Sequence, residues 1–254
     1  MKISAAIITL NEEANLARCL ESVRDVADEM VVVDAGSTDR TQDIAEQHGA
    51  RVFVREWRSY SDQKNYAAGL ADFDWILSLD ADECLSPLLR QRLLDLKVSQ
   101  PQFQAYAFPR LARYLGRWIR HSGWYPDRKV RLYDRTRAQW VGDFVHESLK
   151  VDGTVGTVEA DLLHYTCNSI SEHAERLDRY TTLAANELRA RGKHAGMTSM
   201  LGASLAAFVK SYCLKLGFRD GRQGCLIAAF AAYYNFLKYA KLWELEHAPA
   251  DETD

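Results

Sequence analysis

The sequence predicts an α/β fold, a Rossmann-like and mostly parallel central sheet followed by a C-terminal helical extension. Three observations predict it. Short apolar runs alternate with amphipathic segments through the first hundred residues, the pattern of consecutive βαβ units. Polar or acidic residues close the first, second and fourth of those runs, where open parallel sheets bind ligands. From Ser171 onward the apolar spacing is helical throughout.

Taken in order, Ile3 to Leu10 reads as a buried strand, and Asn11 as the cap of a helix with Glu12 and Glu13 in its first turn. Met30 to Val33 is the second strand, closed by Asp34-Ala35-Gly36-Ser37 and followed by a helix from about Thr38 to Gln47 that ends at Gly49. Arg51 to Val54, a helix from Asp62 to Leu70, and Trp75 to Leu79 complete the alternation. The last of these strands delivers Asp80-Ala81-Asp82-Glu83, and a helix from Pro87 to about Lys97 follows. Ala105 to Leu163 reads as short strands and loops rich in Arg and Trp, the place for an acceptor side. Helices are expected over Ser171 to Arg191, about Met197 to Leu216, and Gln223 to Leu245, with an acidic, fraying tail from Ala248. The expected division is a catalytic domain over 1–168, with donor binding in 1–100 and the acceptor side in 101–168, and a helical region over 169–254.

Composition narrows the function. A net charge of -3 and a pI near 6.2 argue against a general nucleic-acid binder, which carries a basic excess to displace phosphate counterions. The five cysteines show no metal-ligand spacing, which fits a reducing cytoplasm, and Met1 leads into a strand without a signal-peptide pattern. The longest apolar run, Cys225 to Leu237, is interrupted by Asn235 and falls short of the ~20 residues a spanning helix needs. Walker A, G-x-G-x-x-G, H-E-x-x-H and G-x-S-x-G patterns are absent.

The chemistry concentrates at Asp80-Ala81-Asp82-Glu83. Three carboxylates at the mouth of an apolar strand are costly unless a cation or solvent compensates them. Mg2+ or Mn2+ would serve, since each accepts one or two protein carboxylates together with substrate phosphates. The bland alternative is a solvated acidic turn. Asp34 to Asp39 is likewise either a ligand-facing turn or an ordinary βα turn capped by Ser37 or Thr38.

Together, Ile8-Thr9-Leu10-Asn11-Glu12-Glu13, Val33-Asp34-Ala35-Gly36-Ser37-Thr38-Asp39, Gln63-Lys64-Asn65-Tyr66-Ala67 and Leu79-Asp80-Ala81-Asp82-Glu83 resemble the family 2 inverting glycosyltransferases of GT-A fold. Gly123-Trp124-Tyr125-Pro126-Asp127, Arg131-Leu132-Tyr133, Val145-His146-Glu147 and Gly217-Phe218-Arg219-Asp220-Gly221 are similar to the lipopolysaccharide core β-1,4-glucosyltransferase subgroup, the WaaE or KdtX type. The resemblance implies a nucleoside-diphosphate-sugar donor, UDP-glucose first, and a glycolipid acceptor, an inner-core heptose. It implies that Asp34 contacts the nucleotide, that Thr9 and Asn11 shape the base pocket, and that Lys64 and Asn65 lie near the donor. Many such proteins carry two adjacent aspartates where this chain has Asp34-Ala35. Asp80 would sit near the ribose and Asp82 would hold the metal; Glu13 and Ala81 fall inside the matching motifs and count with the donor site. Glu147 is the candidate base, with Asp127 and Asp143 as competitors, and His146 would orient it or bind the leaving diphosphate.

Between Arg110 and Arg137 a run of Arg and Lys, opposed locally only by Asp127 and Asp134 and interleaved with Tyr114, Trp118, Trp124, Tyr125 and Tyr133, reads either as a surface for a phosphorylated glycolipid or as a solvated face with core aromatics. The terminal helices carry apolar stripes flanked by lysines, suited to an anionic membrane surface or to a second subunit. The resembled subgroup's acceptor favours the first, a peripheral site on the cytoplasmic face of the inner membrane. Alternatives are a polyprenyl-linked or capsule acceptor, a sugar nucleotidyltransferase, and a non-catalytic nucleotide-sugar-binding protein.

Overall fold

The computed structural model describes residues 1–142 and 147–247. Asp143, Val145 and His146, and the tail from Ala248, lie outside the described residues. Two compact units are present, one of residues 1–111 with 126–165 and one of residues 112–125 with 166 onward.

The first unit opens with β1 (Ile3–Thr9), α1 (Leu16–Val23), β2 (Glu29–Asp34), α2 (Thr41–Gln47), β3 (Arg51–Val54), α3 (Tyr60–Gly69) and β4 (Trp75–Asp80). All seven residues of β1 are buried, as expected of a central strand covered on both faces. Its alternate side chains enter two cores. Ile3, Ala5 and Ile7 pack with Leu16, Leu20 and Val23 of α1, while Ala6 and Ile8 pack with Ala67 and Ala68 of α3. The parallel register pairs Thr9 with Asp34 and Ile8 with Asp80, so the carboxyl ends of β1, β2 and β4 finish at one edge.

Beyond β4 the chain adds β5 (Glu83–Leu85), α4 (Pro87–Val98) and β6 (Ala105–Tyr114), then, past the second unit's β7 (Arg117–Trp118), β8 (Asp127–Asp134), β9 (Ala138–Val141), β10 (Ser148–Val151), β11 (Val155–Thr157) and β12 (Leu162–Cys167). Strand order is β3-β2-β1-β4-β8-β6-β12-β5, with β11 also on β6. The sheet is therefore mixed: β3, β2, β1 and β4 run parallel, and β8 joins β4 antiparallel. The segment 105–163, expected as short strands and loops, supplies the antiparallel half. Its alternation is hard to see because β6 is buried on both faces, with only Arg110 and Arg113 partly exposed.

Two helices start later than expected. Helix α1 begins at Leu16, and Asn11, at φ 53°, does not cap it; the Asn11 side chain instead accepts from the Thr38 backbone N–H at 2.8 Å. Helix α2 begins at Thr41, because Ser37 to Arg40 are spent on tying the β2 turn to the loop after β1. Ser59 and Ser86 cap α3 and α4 through their hydroxyls.

The second unit holds β7, α5 (Ile170–Ala190), α6 (Met197–Val209), a π-turn over Lys210–Leu214, a 3-10 turn over Gly217–Asp220 and α7 (Gly221–His247). Tyr114, Ile119, Cys167 and Ile227 form its small core. Asp220, buried, accepts from the backbone N–H groups of Arg120 and His121 and pairs with the His121 ring at 3.1 Å, which fixes the loop after β7 onto the 3-10 turn. Gly224 lets the first turn of α7 lie against the Gly217 carbonyl, where a Cβ would overlap backbone. Gly202, in α6, has nothing within 4 Å. Gly224→Ala should therefore cost about 1–3 kcal/mol through overpacking. Gly202→Ala should gain about 0.5–1 kcal/mol through helix propensity. Denaturant midpoints of the two variants check both signs, and equal effects would remove the backbone contact from the account.

Candidate active site

The acidic tip of β4 is compensated from within the chain. Arg131, on β8, is only 3% exposed and places Nη2 2.7 Å from Asp80 Oδ2 and 2.7 Å from Glu83 Oε1. Lys64, on α3 and 1% exposed, sets Nζ 3.1 Å from Asp80 Oδ1 and 2.8 Å from Glu147 Oε1. The charges alternate along Glu83, Arg131, Asp80, Lys64 and Glu147. Trp140, on β9, covers the chain of charges: its ring lies 4.7 Å from Lys64 Nζ, and its indole N–H donates to the Tyr133 hydroxyl at 3.0 Å. Burial raises the pKa of Asp80, but Arg131 and Lys64 outweigh it and hold the carboxyl well below the usual carboxylate range.

Asp82 stands apart from that network. Its carboxylate is partly exposed and lies 3.1 Å from His164 Nε2, because β5 runs antiparallel to β12 and the Asp82 carbonyl accepts from the Tyr165 N–H. Among the described residues no cluster of three or more His, Cys, Asp or Glu is arranged to hold a metal. A lone Asp82 with an adjacent imidazole nonetheless suits Mg2+ or Mn2+ when the remaining positions are filled by substrate phosphates and water.

The other expected donor residues form a second network. Asp34 is buried, and its carboxylate accepts from the N–H groups of Gly36 and Ser37, the Ser37 hydroxyl and the Gln42 amide. It organises its own turn. Asn11 bonds Ser37 and Thr38, and Glu13 meets Arg40 and the region of Asp39, so the loops after β1 and β2 are stitched together. Thr9 is buried beside them, its hydroxyl without a hydrogen-bond partner among the described residues. Asn65 makes a two-way amide bridge to the Trp140 backbone at 2.8 and 3.0 Å, holding β9 against α3. Ala81 packs into the core. The structure thus brings Lys64, Asp80 and Glu147 into one ion-pair chain, puts Asp82 beside it in sequence, and places Thr9, Asn11, Glu13 and Asp34 in the adjoining loops.

Glu147 ties one oxygen to Lys64, and the other, Oε2, is buried with no hydrogen-bond partner among the described residues. A buried orphan acceptor in a site of this kind is a natural place for a reacting group to dock. Asp127, the competitor within the described residues, is held below the usual range: burial raises it, and Arg110 at 2.7 Å with Lys129 at 3.2 Å overrides that. That makes it a weak proton acceptor. Asp143 lies outside the described residues.

Much of the basic run between Arg110 and Arg137 is taken up in ion pairs. Beyond the pairs of Arg110, Lys129 and Arg131, Arg128 meets Glu159, Arg135 meets Asp74 and Arg137 meets Asp152. Tyr114 and Tyr133 are core residues. The partners come from distant segments, so local sequence understates the neutralisation. Sequence reading also placed Arg131 on a surface and passed over His164 and Trp140. The one local hint is that Arg131 interrupts the apolar run Val130 to Tyr133.

A parallel nucleus with an acidic tip at its switch strand, continued by an antiparallel half, defines a GT-A type glycosyltransferase. The chain belongs to glycosyl transferase family 2, whose sequence profile matches residues 4–147. An uncharacterized glycosyltransferase of Rickettsia typhi is 32% identical over 96% of this chain and 87% of its own length. The lipopolysaccharide core biosynthesis glycosyltransferase LpsC of Rhizobium meliloti is 30% identical over 96% of this chain and 93% of its own. Among solved structures, glucosyl-3-phosphoglycerate synthase from Mycobacterium tuberculosis with Mn2+, UDP and glucosyl-3-phosphoglycerate matches 45% of this chain and 44% of that chain, with 26% identity and a TM-score of 0.37.

The ion-pair chain sets a pH dependence. A carboxyl whose folded pKa is depressed contributes stability above its unfolded value, near 3.9 for Asp, and loses it as the pH falls toward the folded value. The melting temperature should therefore drop as the pH is lowered below about 4. Asp80→Asn should be less stable at pH 7 and show a shallower acid slope. Arg131→Met, which leaves Asp80 and Glu83 buried beside one fewer cation, should lose about 3–5 kcal/mol. Thermal melts from pH 7 to 3 test this; parallel curves for wild type and Asp80→Asn would refute the assignment.

Proposed function

We propose that the protein is an inverting hexosyltransferase that moves glucose from UDP-glucose to an inner-core heptose of lipopolysaccharide, working at the cytoplasmic face of the inner membrane. The observation that carries the reading is the placement of Glu147, with one oxygen anchored by Lys64 and the other buried and, among the described residues, unpartnered. The relation to LpsC, over nearly the whole of both chains, supports a lipopolysaccharide acceptor.

In this reading the acceptor hydroxyl attacks the anomeric carbon from the face opposite the diphosphate. Its proton passes to Glu147 Oε2, the carbon–oxygen bond to the diphosphate breaks, and a single displacement inverts the configuration. Lys64 orients Glu147 by gripping Oε1. The proton moves as the new bond forms and the hydroxyl acidifies. Held by Asp82 with His164 alongside, Mg2+ or Mn2+ would supply neutralisation of the negative charge that develops on the departing diphosphate. Asp80, paired with Arg131 and Lys64, stays ionised to meet the ribose, and the stitched loops of Thr9, Asn11, Glu13 and Asp34 form the side on which the base docks.

A panel of nucleotide sugars, scored by metal-dependent thermal stabilisation and by hydrolysis, identifies the donor; UDP-glucose should give the largest shift. Glu147→Gln should keep donor affinity and lose roughly 10²–10⁴-fold in transfer. Asp82→Asn should abolish the Mn2+-dependent part of UDP affinity in calorimetry. Near-normal turnover of Glu147→Gln would move the base to Asp127 or Asp143, and unchanged UDP affinity of Asp82→Asn would remove the metal from that carboxylate.

A further inference from the structure

Helix α6 contains no charged residue from Met197 to Val209, and its outward side is as apolar as its inward one. Met200 is buried, whereas Met197, Leu201, Leu205 and Val209 recur every four residues along an exposed ridge, with Leu205 67% exposed. The ridge continues past the π-turn through Leu214, 73% exposed, and Phe218. A helix apolar on all sides is normally covered on all sides. Scattered surface leucines need no explanation, but a contiguous row of this length marks a contact surface.

Charge says what covers it. From Leu188 to Arg219 the chain has no aspartate or glutamate and six lysines and arginines. Lys210, Lys215 and Arg219 are exposed at the π-turn end of the ridge, and Arg222 follows on α7. The acids that border this stretch are committed elsewhere, Glu187 to Arg191 and buried Asp220 to His121, and Glu246 pairs with His194. A second copy meeting the ridge about a two-fold axis would offer these cations no acid, because the same acid-free stretch faces them in either direction. An anionic lipid surface offers the complement to both features, acyl chains for the ridge and phosphates for its cationic end. At 13 residues α6 is ~20 Å long. That is too short to span a bilayer, and no described helix is long and apolar enough to do so.

We propose that the exposed ridge of α6 and the following turns, from Met197 to Phe218, docks parallel to an anionic membrane surface, with Lys210, Lys215 and Arg219 on lipid phosphates. The inference deepens the proposed glycolipid acceptor, which would lie in that membrane, but the surface rests on exposure and charge alone.

Flotation of the full chain with vesicles of phosphatidylcholine, with and without phosphatidylglycerol, tests it. Wild type should float with the anionic vesicles, and should release as salt rises from about 0.1 to 1 M because the headgroup attraction is screened. Leu201→Gln/Leu205→Gln keeps helix-forming residues on an exposed face, and should weaken partitioning at least roughly tenfold with an unchanged melting temperature. Lys210→Glu/Lys215→Glu should remove the preference for anionic lipid. The proposal is overturned if wild type binds neither vesicle or if both variants bind as well as wild type. It is equally overturned if light scattering shows a dimer that Leu201→Gln/Leu205→Gln dissociates. UDP-sugar affinity, measured without lipid, should be the same in all three proteins, so failure of the docking surface and failure of the proposed transferase reading appear in different assays.

Discussion

The guanidinium of Arg131 makes the acidic tip of β4 possible. Asp80 and Glu83 face the same small volume at the end of an apolar strand, where two carboxylates repel unless a cation lies between them. Arg131 reaches them because β8 pairs antiparallel with β4, which brings a residue 51 positions away onto the same edge. Lys64 then extends the alternation of charge from Asp80 to Glu147. Buried pairs of this kind add little net stability compared with well-packed apolar side chains. What they supply is position: each carboxylate has one geometry that satisfies its neighbours.

That division of labour separates the carboxylates by use. Asp80 and Glu83 are fixed and neutralised by the chain itself, Asp82 points to a separate histidine, and Glu147 keeps one oxygen uncommitted among the described residues. Four acids that look alike in the sequence therefore have four different electrostatic surroundings. The loops after β1 and β2 follow the same economy, with Asp34 spent on holding its turn and Asn11 on joining the two loops. Their exposed backbone and side chains, rather than the Asp34 carboxylate, form the surface there.

Much of the fold is legible in the chain. Strand β3 and the start of α4 fall where alternation and Pro87 put them, the break at Gly192 separates α5 from α6, and β1 reads as buried because every residue from Ile3 to Thr9 is; the break before α7 comes earlier than Gly217, at the π-turn from Lys210, and Gly224 lies inside α7. These are local signals, a period or a breaker, carried by neighbouring residues. Where local signals compete, reading slips: Asn11 has the right side chain to cap a helix, yet its oxygen is taken by Thr38 from the next loop. The arginine-rich segment misleads for the same reason, since its neutralising acids, Asp74, Asp152 and Glu159, come from other strands and loops.

By itself the sequence determined the parallel nucleus, the acidic tip on the fourth strand and the family to which the chain belongs, because each is written in contiguous residues whose spacing matches one secondary-structure period. Tertiary structure alone decided which acids are neutralised, that His164 stands beside Asp82, that Lys64 grips Glu147, and which side of α6 is left uncovered. Those outcomes depend on strand pairing and on contacts between residues tens of positions apart, and a linear pattern carries no record of such distances.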